Sequence, residues 1–176
     1  MIKIAVIGPE SSGKSTLCEM LNAHYKGFVV KEFAREYLND KSSYEEEDLL
    51  EIAKGQANFE EEGINSDKNI ILFDTNFLVL KVWSDLKYNR CHSYIEEQLK
   101  NRTYDLTLLL LPNIPWQYDP LRESPSIEER MKIFNEYRKH LELLNHPYKI
   151  LRDIGYGRTV ESIQHIDEVV TSKNRL

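Results

Sequence analysis

Ile2-Lys3-Ile4-Ala5-Val6-Ile7-Gly8-Pro9-Glu10-Ser11-Ser12-Gly13-Lys14-Ser15-Thr16 is the stretch whose reading decides the fold. Its first six residues form a nearly continuous β-prone run, as expected of a strand buried in a parallel sheet. A loop bracketed by two glycines follows, and a helical pattern runs from Lys14 to about Tyr25. The spacing G-x-x-x-x-G-K-[ST] has a physical reason at each position. Gly8 and Gly13 let successive backbone N–H groups turn inward towards phosphate oxygens. Lys14 supplies a cation for the β- and γ-phosphates, the Ser15 hydroxyl can ligate Mg²⁺, and the helix that starts there adds its positive end. Glu10, Ser11, Ser12 and Thr16 complete the candidate ATP-binding set. A chance match in a turn has odds of roughly one in a few hundred chains of this length. The strand before the motif and the helix after it lower those odds further.

Outward from this motif, strands and helices alternate. Further strands are expected at Phe28 to Glu32, at Asn69 to Phe73 ending at Asp74, at Leu106 to Leu111 and at Tyr148 to Leu151. Ser43 with Glu46 reads as a capping box that opens an amphipathic helix to about Glu62. Val79, Val82, Trp83 and Leu86 share one helical face, as do Ile127, Met131, Phe134 and Leu141. A loop at Gly155-Tyr156-Gly157 precedes a last helix to about Val170. The expectation is a single α/β domain over residues 1–176: a P-loop NTPase three-layer sandwich with a five-stranded parallel sheet, nucleoside- or nucleotide-kinase-like, with a lid.

Composition limits the partners. The chain carries 23 Lys and Arg against 29 Asp and Glu, a formal charge of −6. That balance argues against non-specific binding to nucleic acid. Cys18 and Cys91 belong to no CxxC or zinc pattern and read as reduced thiols. The N-terminal apolar run is too short for a signal peptide, and Leu106 to Leu111 ends at Pro112, far short of a membrane span. A cytoplasmic protein with a small-molecule substrate and no membrane partner is expected; the sequence does not give its oligomeric state.

Asn69-Ile70-Ile71-Leu72-Phe73-Asp74 has the form of a Walker B strand, apolar residues ending in a carboxylate that can hold Mg²⁺ or its water. Thr75 and Asn76 could cap the next helix, so capping does not need Asp74. No Asn-Lys-x-Asp guanine signature is present, and a motor or AAA machine needs a longer chain. A small-molecule kinase fits, and it needs a mobile lid bearing arginine. Residues 112–130, beginning Pro112-Asn113-Ile114-Pro115-Trp116, are too long for an ordinary connection and are assigned to that lid. Arg122, Arg130 and Arg138 follow at eight-residue spacing. Arg122 and Arg130 are candidates for transition-state charge, whereas Arg138 is read as a surface ion pair. Trp116 either stacks on substrate or pins the loop.

The acceptor is expected beyond the second and third strands, with Glu32 and Asp74 as a carboxylate pair that binds hydroxyls or takes a proton. Arg35 lies beside them, and Glu36 reads equally well as a solvated residue. Gln56 falls on the apolar face of its helix and must satisfy backbone groups or reach a ligand. Trp83 reads as core. The segment from Gly155 to Arg158 is placed against adenine or ribose by analogy with P-loop kinases.

Gly8 to Leu17, Glu32-Phe33-Ala34-Arg35-Glu36-Tyr37, Ala53-Lys54-Gly55-Gln56, Phe73-Asp74-Thr75, Ile114-Pro115-Trp116 and Leu121-Arg122 together resemble the ribosylnicotinamide kinase domain of NadR-type proteins. The resemblance implies a P-loop kinase, AAA-like in ancestry, that uses ATP and Mg²⁺ to phosphorylate the ribose 5′-hydroxyl of nicotinamide riboside in NAD biosynthesis. It also implies adenylyltransferase and DNA-binding domains in some members, for which this chain has no room. Asn113 stands where the family has an acidic residue and Pro120 where it has glycine. A kinase for another nucleoside or small polyol, or a module that senses ATP without turnover, is the alternative.

Overall fold

The computed structural model describes residues 1–41, 43–120 and 122–175. Five parallel strands, β1 (Ile2–Ile7), β2 (Phe28–Val30), β3 (Ile70–Asp74), β4 (Leu106–Leu110) and β5 (Tyr148–Leu151), form one sheet in the order β2-β3-β1-β4-β5. Every strand pair is parallel, so each connection crosses a face of the sheet through a helix. β1 lies between β3 and β4, with Val6 opposite Asp74 and Val6 also opposite Leu108. The phosphate loop and the acidic strand end are therefore neighbours.

Strand periodicity divides the core. Ile2, Ile4 and Val6 face one layer with Leu106, Leu108 and Leu110, where α1 (Lys14–Tyr25) and α7 (Gly155–Lys173) pack through Leu17, Leu21 and Ile166. Ile7 and Leu109 face the opposite layer. There α2 (Phe33–Leu38), α3 (Glu46–Ile64), α4 (Phe77–Tyr88), α5 (Ser93–Asn101) and α6 (Ile127–Leu143) share one apolar cluster. This is the expected three-layer sandwich.

Several boundaries differ from the sequence reading. α2 and α5 were not expected. α2 is only six residues, too short to be specified by its own propensity, and tertiary contacts hold it. α3 begins at Glu46, and the Glu45 N–H donates to Asp48 Oδ2 at 2.9 Å, so the Ser43–Glu46 box is replaced by one two residues later. β2 stops at Val30, which leaves Glu32 as the N-cap of α2. The glycines at 155 and 157 belong to the first turn of α7. On α6 the buried stripe is Arg130, Phe134, Tyr137 and Leu141, while Ile127 is exposed. The stripe is rotated because the Arg130 guanidinium turns inward to the Ile114 carbonyl at 3.1 Å. Cys18 and Cys91 are free thiols, as expected. Among the described residues no helix is long and apolar enough to cross a membrane.

The α2–α3 contact sets the acceptor side. Phe33 lies directly over Gly55, where an added Cβ would fall 2.1 Å from a ring carbon, and its ring meets Phe59 edge-on at 5.1 Å. Gly55→Ala gains about 1 kcal/mol of helix propensity, but overpacking costs about 1–3 kcal/mol. The expected net result is a lowered Tm, by a few degrees, in a thermal melt.

Candidate active site

The phosphate loop is built as a cradle. Ser11 (φ 50°) and Gly13 (φ 85°) both adopt left-handed backbone, which turns consecutive N–H groups to one side. Gly13 is the N-cap of α1 with no side-chain cap, and no acidic residue stands in the first turn. The free helix N-terminus is thus left for an anion. Lys14 Nζ donates to the carbonyls of Gly8 (3.0 Å) and Pro9 (3.2 Å), folded back along its own loop.

One cavity of about 430 Å³ connects this loop to an apolar wall. Gly8, Glu10, Ser11, Ser12, Gly13, Lys14, Ser15 and Thr16 line the phosphate end. Opposite them are Ala34, Arg35 and Leu38 from α2, Val79, Val82, Trp83, Leu86 and Lys87 from α4, and Ile133 and Tyr137 from α6. Glu32 and the lid residues Arg122, Glu123 and Ser124 complete the lining. Trp83 packs against the core cluster, as expected, and its other side lines the cavity; its indole N–H donates to Tyr44 Oη at 2.8 Å. Tyr137, Ile133, Lys87 and Glu123 were missed by sequence reasoning. The only signal for Tyr137 was its place on the true α6 stripe.

Glu32 and Arg35 form an ion pair at 3.1 Å, and Arg35 continues to Asp119 of the lid at 3.0 Å. Burial pushes the Glu32 carboxyl above the ordinary carboxylate range and Asp74 adds to this, while Lys14 and Arg35 oppose it. Gln56 resolves in favour of the backbone: its Oε1 accepts from Phe33 N (2.9 Å) and its Nε2 donates to the Lys31 carbonyl (3.3 Å). The amide is off the cavity and instead brackets Glu32 on both sides in sequence.

Asp74 ends β3, almost buried, and its Oδ1 has no hydrogen-bond partner. Thr75 beside it holds φ 95°, a strained value for a β-branched residue. Asn76 caps α4 by accepting from Leu78 N at 3.1 Å, so Asp74 is not consumed by capping. A buried, unpartnered carboxylate oxygen at the end of the strand beside β1 fits Mg²⁺, which takes one or two protein oxygens with phosphates and waters. Asp74 does not line the cavity, although its charge reaches the Glu32 carboxyl.

The lid arginines separate. Arg122 faces the cavity and donates to Ser11 Oγ (2.9 Å) and the Gln117 carbonyl (2.7 Å). Arg130 is buried, 4% exposed, and supports the root of the lid without facing the cavity, which corrects its catalytic assignment. Arg138 pairs with Glu142 at 3.6 Å on the surface, as expected. Trp116 lies off the cavity and meets Tyr118 of the same loop edge-on at 6.3 Å. Leu121 lies outside the described residues.

Arg158 does not reach outward for a nucleotide either. Its guanidinium donates to the carbonyls of Ser12 (2.5 Å), Asp153 (2.7 Å) and Leu111 (3.3 Å), and to Asn113 Oδ1 (2.7 Å). It fastens the loop from behind, and the Asn113 amide also donates to the Arg152 carbonyl at 2.6 Å.

A family model described as an AAA domain matches residues 3–157. The chain belongs to that family. It is 25% identical over 173 residues to the trifunctional NAD biosynthesis/regulator protein NadR of Salmonella typhimurium, and equally to that of Escherichia coli. These matches cover 95% of this chain and 42% of each relative, so the chain spans less than half their length. A crystal structure of NadR protein in complex with NR superposes with a TM-score of 0.83 at 24% identity, over 96% of this chain and 51% of that one. Deoxyadenosine kinase from M. mycoides superposes at 0.63 and 14% identity, over 95% and 99%. The fold is that of P-loop nucleoside kinases, as the resemblance implied.

Replacing Arg158 by Met takes the guanidinium donor from the carbonyls of Ser12, Asp153 and Leu111, of which Ser12 is fully buried and Leu111 keeps the Asn113 N–H. The expected outcome is a destabilisation of about 3 kcal/mol or more in denaturant unfolding, together with weaker ATP binding by calorimetry.

Proposed function

We propose that this domain is an ATP-dependent riboside kinase, transferring the γ-phosphoryl group to the 5′-hydroxyl of nicotinamide riboside to give nicotinamide mononucleotide. The observation that carries the reading is the acceptor end of the cavity. Its walls are apolar and aromatic, its carboxylates are Glu32 and Glu123, and its cations Arg35 and Lys87 are already paired with carboxylates. A phosphorylated acceptor would need cations available to bind it. An uncharged hydroxyl carried by a flat, cationic base suits the wall better. The relationship to NadR and the likeness to a nucleoside kinase support the same chemistry.

Lys14 and the loop amides hold the β- and γ-phosphates. Ser15 and Asp74 would hold Mg²⁺, which when bound neutralises charge on the bridging phosphate oxygens. Glu32 orients the attacking hydroxyl and accepts its proton. Arg122 turns from Ser11 towards the transferring group as the lid closes and excludes water. Most of the acceleration in such a site comes from position and charge.

Phosphate transfer measured over a panel of ribosides and nucleosides tests the assignment. Nicotinamide riboside is expected to give the highest kcat/KM. Equal rates with uridine or cytidine would remove that substrate, and tight ATP binding with no acceptor-stimulated ADP release would remove the kinase. Lys14→Ala should abolish turnover, and Arg122→Ala should lower kcat by roughly 10²-fold or more while changing ATP affinity much less.

The raised Glu32 pKa gives a signed prediction. A base works deprotonated, so activity is retained above its pKa and falls as pH drops through it. The acid limb of the kcat/KM profile should lie above the ordinary carboxylate range, and Glu32→Gln should remove that limb along with most of the rate.

A further inference from the structure

Glu123 has no part in the chemistry above, yet it touches both the phosphate loop and residues of the acceptor wall. Its backbone N–H donates to Glu10 Oε1 at 2.8 Å, and the next N–H, of Ser124, donates to Glu10 Oε2 at 2.9 Å. Both oxygens of its own carboxylate are also engaged, Oε1 by Lys87 Nζ at 2.8 Å and Oε2 by Tyr44 Oη at 2.9 Å. Tyr44 in turn accepts from the Trp83 indole N–H at 2.8 Å, and the Lys87 ammonium stands 3.6 Å above the Tyr44 ring. Trp83 and Lys87 are acceptor wall, Glu10 is phosphate loop, and Arg122 is the preceding residue.

We infer that Glu123 is a positioning residue, coupling the acceptor wall to the phosphate loop so that Arg122 is held over the loop only while Trp83 and Lys87 of the wall, and the Tyr44 they contact, are in place. This rests on the kinase reading of the site. The Glu123 side chain is 53% exposed, and an ion pair that accessible adds little to global stability. The same small energy acts differently on a lid, where it biases a local open–closed equilibrium that needs no unfolding. An acceptor packed on Trp83 would hold Tyr44, Tyr44 holds Glu123, and Glu123 fixes the backbone that carries Arg122. Acceptor binding and lid closure are thereby one event.

The test uses Glu123→Ala, Tyr44→Phe and the exchange Lys87→Glu with Glu123→Lys, on the full chain. Glu123→Ala should lower kcat by roughly tenfold and raise the acceptor KM several-fold, with the affinity for a non-hydrolysable ATP analogue and the Tm nearly unchanged. Tyr44→Phe should shift both constants the same way by less, and the exchange should restore part of kcat. A structural role alone would move Tm and leave this split absent. A second readout is independent of acceptor. The chain has two tryptophans, so Trp116→Phe leaves Trp83 as the sole emitter. In the ATP-analogue complex, adding Glu123→Ala should red-shift Trp83 emission and increase its quenching by acrylamide. Unchanged kcat and KM in Glu123→Ala overturn the coupling. If no riboside or nucleoside is phosphorylated, the kinase reading fails by itself, and unchanged Trp83 emission then overturns the tether separately.

Discussion

A buried guanidinium behind the phosphate loop is the constraint on which the site depends. Three backbone carbonyls, from Ser12, Leu111 and Asp153, and the amide of Asn113 converge on Arg158. They belong to the phosphate loop, to the start of the lid after β4, and to the connection after β5. A carbonyl removed from water needs a donor, and one planar group satisfies all four acceptors. The left-handed turn at Gly13 and the free N-terminus of α1 can then face the cavity, because the reverse side of the loop is already satisfied. The same bonds fix where the lid begins.

The lid rests on the phosphate loop through a second set of contacts of a different character. Glu10 gathers the N–H groups of Glu123 and Ser124, Ser11 receives Gln117 N and Arg122, and Asp119 links to Arg35. Most of these groups are partly exposed, so each bond is weak and salt-sensitive. Rigidity behind the loop and weak bonds in front of it give a fixed cradle beneath a movable cover. A kinase needs that division: the phosphates must be held before the acceptor arrives, and water must be excluded only afterwards.

The acceptor side combines a rigid and a strained element. Gln56 brackets Glu32 through the backbone at Lys31 and Phe33, so the carboxylate that would accept the proton is placed by a buried amide one helix away. Thr75, held at positive φ, turns the chain between the Asp74 carboxylate and the N-cap of α4.

What the sequence determined by itself was what local chemistry encodes. Gly8 to Ser15 specified the cradle, the apolar runs specified five strands, and Asp74 after an apolar strand specified a carboxylate at the strand end, because these signals depend on spacing within a dozen residues. Arg122 was legible for the same reason, being a lone arginine on a loop too long to be a mere connection. Tertiary structure decided the fate of side chains whose partners are distant in sequence. Arg158 and Arg130 look like surface or lid cations in one dimension, yet both turn inward to carbonyls, Arg158 to Ser12 across 146 positions. Gln56 could have gone to ligand or backbone, and only the placement of α2 over α3 chose. Trp83 kept its helical periodicity in either reading, but α4 presents that face to a cavity. Which residues share a phase can be read from a sequence; which surface they meet is set by the packing of the sheet's layers.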